Sequence, residues 1–408
     1  MPRFEPFAAL RPLGADLDAV VAPPYDVIGV DERAVLEARS DHNAVHLELP
    51  RDRDEHDRYT EAACLLRAWI ADGSLVLDAA PAFYAYEMTA SLGGAMVRTR
   101  GVLGALTLEA PGHGILPHEQ TTSKDVTDRL SMLITCRANL SPIWVLSPTV
   151  GLGALASGGT PLAEATDDDG VHHALRRIDD ADSVAAICAA VAAAPVVIAD
   201  GHHRFEVANR YRATHLADDR DSTGTPGAGA ILAFAVELAD DELTVRAIHR
   251  LLDGVAEGAD LPSMFARLDG VASVDRLDVS AIDDQALLAL ESDVARLGGM
   301  ALIEPGGVWL VTAPDADSDR LDSQWFAELA GLLTQGDAPG LQLRNQHDAR
   351  RVGAAVASGD ATAGMLLRPA TVAQIAATGS GGDRMPAKTT FFWPKPRTGF
   401  AYRLLDEG

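Results

Sequence analysis

The sequence predicts an α+β fold with mixed sheets, assembled from more than one packed unit. Three observations carry that expectation. Short apolar runs of strand length, such as "APVVIAD", "SPIWVLS" and "ILAFAVEL", alternate with longer segments whose apolar residues recur every three or four positions. At 408 residues the chain exceeds what one compact core usually accommodates. Hydrophobic residues make up 47% and charged residues 23%, the balance of a globular chain rather than a disordered one.

The elements follow in order. "VVAPPYDVI" is extended and then turns, because the residue before a proline avoids the helical region. "VDERAVLEARS" reads as a helix with acidic residues in its first turn. "YTEAACLLRAWIADGSL" reads as another, capped by Thr60 and stopped at Gly73. "PAFYAYEMTA" and "VRTRGVLGALTLE" read as a hairpin through "SLGG". Val126, Leu130, Leu133 and Ile134 mark a helix, and "SPIWVLS" a strand. Residues 151–193 are Ala- and Gly-rich, with helices and loops expected and with His172 and His173 in an acidic, solvated loop. "APVVIAD" is a buried strand and "GHHRFEVANRYRATH" a helix entered through Gly201. "ILAFAVEL" and "LTVRAIHRLL" read as strands joined by the tight turn "ADDE", with His249 and Arg250 ending the second. Helical patterns then alternate with short strands such as "MALIEPGGVWLVTA" up to an aromatic, basic, proline-punctuated tail. Three segments are expected: 1–110, 111–250 and 251–408.

Charge narrows the partners. Lys+Arg is 34 and Asp+Glu is 59, a net charge of −25. Such a surface repels nucleic acid and anionic lipid, so an anionic ligand needs a local basic pocket. Neither a basic-then-apolar leader nor about 18 consecutive apolar residues occurs, so no membrane span is expected. Three widely spaced cysteines, Cys64, Cys136 and Cys188, fit a reducing cytoplasm and no zinc cluster. Of the basic residues only Lys124, Lys388 and Lys395 are lysines. A compact ammonium makes point contacts to phosphate that a planar guanidinium reproduces poorly, so these three are candidate phosphate contacts.

Four stretches can carry chemistry. In "VVIADGHHRFEVA", Asp200 ends a strand, Gly201 lets the backbone turn, and His202, His203 and Arg204 open a helix whose amides attract anions. Asp200 suits a hard cation such as Mg²⁺ or a proton. A helix cap accounts for Asp or Gly, but not for four consecutive polar groups of these types. In "LPHEQTTSKDVTDRL", His118 and Glu119 precede a capping run; Glu119 suits a general base, Thr121, Thr122 and Lys124 suit phosphate or a metal, and Arg129 suits phosphate. An ordinary capped, charged helix is the alternative there. "RMPAKTTFFWPKPRTGF" places Lys388, Thr389 and Lys395 in a stretch with no acidic residue. It serves equally as a phosphate contact or as an aggregation-resistant strand edge. Tyr25 and Asp26 in "APPYDV" face a small polar substrate or simply form a turn.

Taken together, "VVAPPYDVI", "ILPHEQTTSKDVTDRL", "SPIWVL", "VVIADGHHRFEVA" and "RMPAKTTFFWPK" resemble, in this order, a widespread bacterial family catalogued as domain of unknown function, DUF 1015. Residues 115–215 are also similar to the ParB/sulfiredoxin-type nucleotide-binding core of SerK-type free serine kinases. That likeness implies a ParB/sulfiredoxin-like core within 111–250, carrying an insertion at 151–193 because Glu119 and Asp200 stand 81 positions apart. It also implies a phosphotransferase acting on a small hydroxylated metabolite, free L-serine first. Glu119 would be the base, Asp200 the Mg²⁺ ligand, and His202, His203 and Arg204 phosphate contacts. ATP, ADP or pyrophosphate would be the donor. The implied partners are the small-molecule substrate and that donor, with neither nucleic acid nor membrane. The alternatives are a ParB-like nucleotide-binding regulator that hydrolyses slowly or not at all, and a metal-dependent phosphoester hydrolase.

Overall fold

Val196 to Ala199 are buried because their strand, Val196–Asp200, runs through the interior of a nine-stranded mixed sheet. The order across the sheet is Ile115–Pro117, Val196–Asp200, Ile143–Ser147, Ala230–Glu237, Ala95–Thr107, Phe83–Leu92, His172–Ile178 and Thr160–Thr166. Phe4–Glu5 adds to Ala95–Thr107. Val196–Asp200 is parallel to Ile115–Pro117 and antiparallel to Ile143–Ser147, which is in turn parallel to Ala230–Glu237. The fold is therefore α+β with mixed sheets, as expected. The computed structural model describes all residues except 15, 54–55, 93, 110–113, 118–122, 216–226, 257, 269, 280–281, 315–319, 382–384, 387 and 406–408; residues 123–125 and 379–381 are described by backbone alone.

The chain forms two compact units. One comprises Met1–Thr244, Gly379–Asp383 and Pro394–Gly408; the other comprises Val245–Thr378 and Arg384–Trp393. Residues 1–110 and 111–250, read as separate segments from the sequence, both contribute strands to the nine-stranded sheet. Helix Ser123–Cys136 packs on helix His202–His215 through Val126, Leu133, Val207 and Tyr211, with Leu405 in the same cluster. Ile134 falls on the exposed side of its helix.

In the second unit a six-stranded sheet is ordered Ser273–Leu277, Gly307–Thr312, Met300–Glu304, Ala363–Leu366, His249–Asp253 and Gln342–Gln346. Side chains along Met300–Glu304 alternate between two cores. Met300 and Leu302 meet Trp325, Phe326 and Leu329 of helix Asp322–Gln335, while Ala301 and Ile303 meet Leu287, Leu290 and Val352 of the other layer.

Four local readings need correction. Helix Arg58–Ala71 is capped by Asp57, whose carboxylate accepts from the Thr60 N–H at 2.8 Å, so Thr60 lies inside the helix. Residues 151–193 hold two strands as well as helices, and His173, expected in solvent, is fully buried in one of them. Ala230–Glu237 and Thr244–Ala247 do not pair as a hairpin. The first lies between Ile143–Ser147 and Ala95–Thr107, and the second pairs with Thr390–Trp393. His249 and Arg250 begin a strand rather than end one.

Candidate functional site

The strand-to-helix turn at Asp200 is built by local strain that the sequence is suited to accept. The register against Ile143–Ser147 shifts between Ile198 and Asp200, which re-aims the end of the strand. Gly201 follows at φ +90°, a left-handed conformation that favours glycine. A Cβ there would lie 2.9 Å from Ile143 Cγ2 and 3.1 Å from Arg204 Nε, so the residue must also be small. Arg204, in the first turn of helix His202–His215, folds back over it. Its Nη2 donates to Asp200 Oδ2 at 2.7 Å, its Nη1 donates to the Pro142 carbonyl, and its Nε is buried without an acceptor among the described residues.

Lys395 completes the cluster. Its Nζ donates to Asp200 Oδ1, so both carboxylate oxygens of Asp200 carry a cation. Burial alone would raise the Asp200 pKa. The charges of Lys395 and Arg204, the Lys395 hydrogen bond and His202 more than offset this and hold the carboxyl well below the usual range. His202 is buried at the start of the helix.

Tyr25 and Arg129 share a cavity wall with Arg204. The Arg129 guanidinium lies over the Tyr25 ring at 4.3 Å, and burial pushes the Tyr25 phenol up, partly opposed by Arg204. Arg129 donates from Nη1 to the Glu48 carbonyl at 2.9 Å and from Nη2 to Asp128 Oδ2 at 2.6 Å. Tyr25, Glu48, Arg129 and Arg204 line a cavity of about 50 Å³, and Tyr25 and Arg129 also wall a cleft of about 550 Å³ with Arg33, Arg58 and Tyr59. Asp26 is exposed and acts on Arg204 through its charge.

Asp200, Gly201, His202, Arg204, Lys395, Tyr25 and Arg129 thus gather in one unit, with His203 on the same first helical turn. His118, Glu119, Thr121 and Thr122 lie outside the described residues, and Lys124 is described only as backbone of helix Ser123–Cys136. Lys388 and Thr389 belong to the second unit. There Lys388 takes φ +61° and its carbonyl accepts from Arg250 Nη2 at 3.0 Å. Thr389 Oγ1 lies 2.8 Å from Ser323 Oγ and donates to the Pro386 carbonyl, on the wall of a cavity of about 230 Å³.

Two groups went unread in the sequence. Glu48 is a buried carboxylate that accepts from Thr398 Oγ1 at 2.9 Å; no spacing signals it. Asp167, His173 and Tyr86 surround Arg397; of the three the sequence reading names only His173, and expects it in solvent.

The described residues do not by themselves fit a resident Mg²⁺. Both Asp200 oxygens already accept from cations, and no group of three or more His, Cys, Asp or Glu among the described residues is placed to hold a metal ion. The three cysteines are free, and no helix among the described residues is long and apolar enough to cross a membrane.

The family model described as Protein of unknown function (DUF1015) matches residues 4–332. Among solved structures, a free serine kinase variant in complex with AMP is 13% identical over 72% of this chain and 89% of its own, with a TM-score of 0.40. A conserved hypothetical protein from Pyrococcus furiosus is 14% identical over 69% and 88%, with a TM-score of 0.36. SbnI with a C-terminal truncation, from Staphylococcus aureus, is 8% identical over 74% and 87%, with a TM-score of 0.37. No curated protein matches.

Proposed function

This chain belongs to the DUF1015 family, and we propose that it is a phosphotransferase moving a phosphoryl group from a nucleotide or pyrophosphate donor to the hydroxyl of a small metabolite, free L-serine first. The observation that carries the reading is the meeting of Lys395 and Arg204 on Asp200 at the start of helix His202–His215. Two cations against one carboxylate, beside helix N-terminal amides and His202, make a local positive site in a chain of charge −25. Phosphoryl transfer asks a protein chiefly for positioning and for neutralisation of charge on oxygen, which these groups supply.

In this scheme the acceptor hydroxyl oxygen bonds to phosphorus as the bond from phosphorus to the donor's leaving oxygen breaks. The hydroxyl proton passes to Glu119, a role that rests on the sequence, with His118 beside it. Charge on the leaving oxygen is met by Lys395 and Arg204, with His203, Thr121, Thr122 and Lys124 as further phosphate contacts. Arg129 would be a further phosphate contact, and Tyr25 and Asp26 would meet the acceptor. The scheme needs neither Lys388 nor Thr389. Mg²⁺ would accompany the donor phosphates. A cytoplasmic setting, suggested by the cysteine usage, belongs to the same proposal.

The test is phosphorus NMR of the purified chain with Mg²⁺, each of ATP, ADP and pyrophosphate in turn, and a pool of amino acids and sugars. A new phosphomonoester signal that depends on serine is expected. Orthophosphate release with every acceptor omitted would replace the transferase by a hydrolase, and donor binding without turnover would replace it by a nucleotide-binding regulator.

A further inference from the structure

Lys395 reaches Asp200 on a segment with no regular secondary structure of its own between Trp393 and Arg403. A long side chain on such a segment loses rotamer freedom when it is held at one carboxylate, so something nearby must hold the backbone. Two residues on, Arg397 is anchored in a buried relay. Its backbone N–H donates to Tyr86 Oη at 3.1 Å, and its guanidinium donates from both Nε, at 2.7 Å, and Nη2 to Asp167 Oδ2. Tyr86 Oη lies 2.8 Å from His173 Nδ1, and His173 Nε2 lies 3.0 Å from the same Asp167 oxygen.

With a neutral imidazole one proton arrangement satisfies the set. His173 donates from Nε2 to the carboxylate, which leaves Nδ1 to accept the Tyr86 hydroxyl, and the Tyr86 oxygen remains free to accept the Arg397 N–H. His173 is fully buried, Tyr86 is 1% exposed, and Phe400 packs edge-on against Tyr86 at 5.2 Å. Thr398 fastens the next residue, pairing with Ala22 through both backbone groups and donating to Glu48 Oε1. A buried relay of this kind, with every partner satisfied, defines one geometry.

We infer that Arg397 is a positioning residue whose anchoring by Tyr86, His173 and Asp167 delivers the Lys395 ammonium to Asp200. The inference rests on the phosphotransferase reading only for what that ammonium is used for. The chain has three lysines, so a lysine-labelled sample gives few side-chain NMR signals, and Lys395→Arg assigns the one wanted.

In folded Arg397→Ala, the Lys395 signal is expected to move toward its position in Asp200→Asn. Pyrophosphate affinity is expected to fall about tenfold. In a Lys395→Ala background, Arg397→Ala is expected to change that affinity less than about twofold, the non-additivity of two residues acting through one contact. An unmoved Lys395 signal, or an equal affinity loss in both backgrounds, overturns the inference and leaves Arg397 a purely structural residue. If Arg397→Ala does not fold, Tyr86→Phe decides by the same signal: a smaller shift in the same direction supports positioning and an unmoved signal overturns it. Should Lys395→Ala leave pyrophosphate binding intact, the phosphotransferase reading loses its cation while the NMR signal still decides the positioning.

Discussion

Lys395 and Asp200 form an ion pair across 195 positions of sequence, and each is less than one-fifth exposed. Lys395→Ala should therefore weaken pyrophosphate or ATP binding by about tenfold to a hundredfold, as measured by isothermal titration calorimetry. Lys395→Arg should restore only part of it, because a planar fork does not replace a compact ammonium on one carboxylate oxygen. Unchanged affinity in both variants would remove Lys395 from the site.

Gly201→Ala places a methyl group 2.9 Å from Ile143 Cγ2 at φ +90°. The variant should lose about 1–3 kcal/mol of stability in urea unfolding, and donor binding should fall as Arg204 is pushed aside. A variant as stable as the parent would mean that the turn is not held as described.

Glu119→Gln should reduce serine-dependent phosphomonoester formation by about 10²- to 10⁴-fold while donor binding persists. Full turnover in this variant would dismiss Glu119 as the base. Loss of donor binding together with turnover would assign it to the donor instead.

Asp167 supplies a pH dependence. Burial would raise its pKa, but the His173 hydrogen bond and the Arg397 charge lower it from 3.8 to about 2. The folded state therefore binds the proton less readily than the unfolded state. The stabilisation is complete above about pH 4 and is lost as the pH falls through 2, and it amounts to about 2 kcal/mol. Urea midpoints measured between pH 5 and pH 2 should fall more steeply for the parent than for Asp167→Asn. Parallel curves would contradict the assignment.

What could be read from the sequence was mostly local. The strand, glycine turn and helix around Asp200 followed from an apolar run, a residue free to take positive φ, and helical spacing within about 20 residues. The hairpin of Phe83–Leu92 and Ala95–Thr107 followed from two strand-like runs with a short connection. Even local readings slipped where two caps competed: Asp57 takes the position expected of Thr60, because its carboxylate accepts the Thr60 N–H. The strand character of Ala230–Glu237 is legible locally but its neighbours are not, since strand pairing is decided by distant partners on both sides. His173 looked solvated among acidic neighbours, yet Asp167 is one of those neighbours and helps to bury it.

By itself the sequence determined the α+β class, the polar cluster at 200–204 and the scarcity of lysine that marked Lys395 alongside Lys124 and Lys388. Only the tertiary structure decided that Lys395 belongs with Asp200, that Tyr25 and Arg129 stand beside Arg204, and that Lys388 and Thr389 lie in the other unit. The reason is physical. Backbone preferences act over a few residues and leave a mark in the local pattern, whereas an ion pair closed over nearly half the chain depends on the packing of everything between its partners.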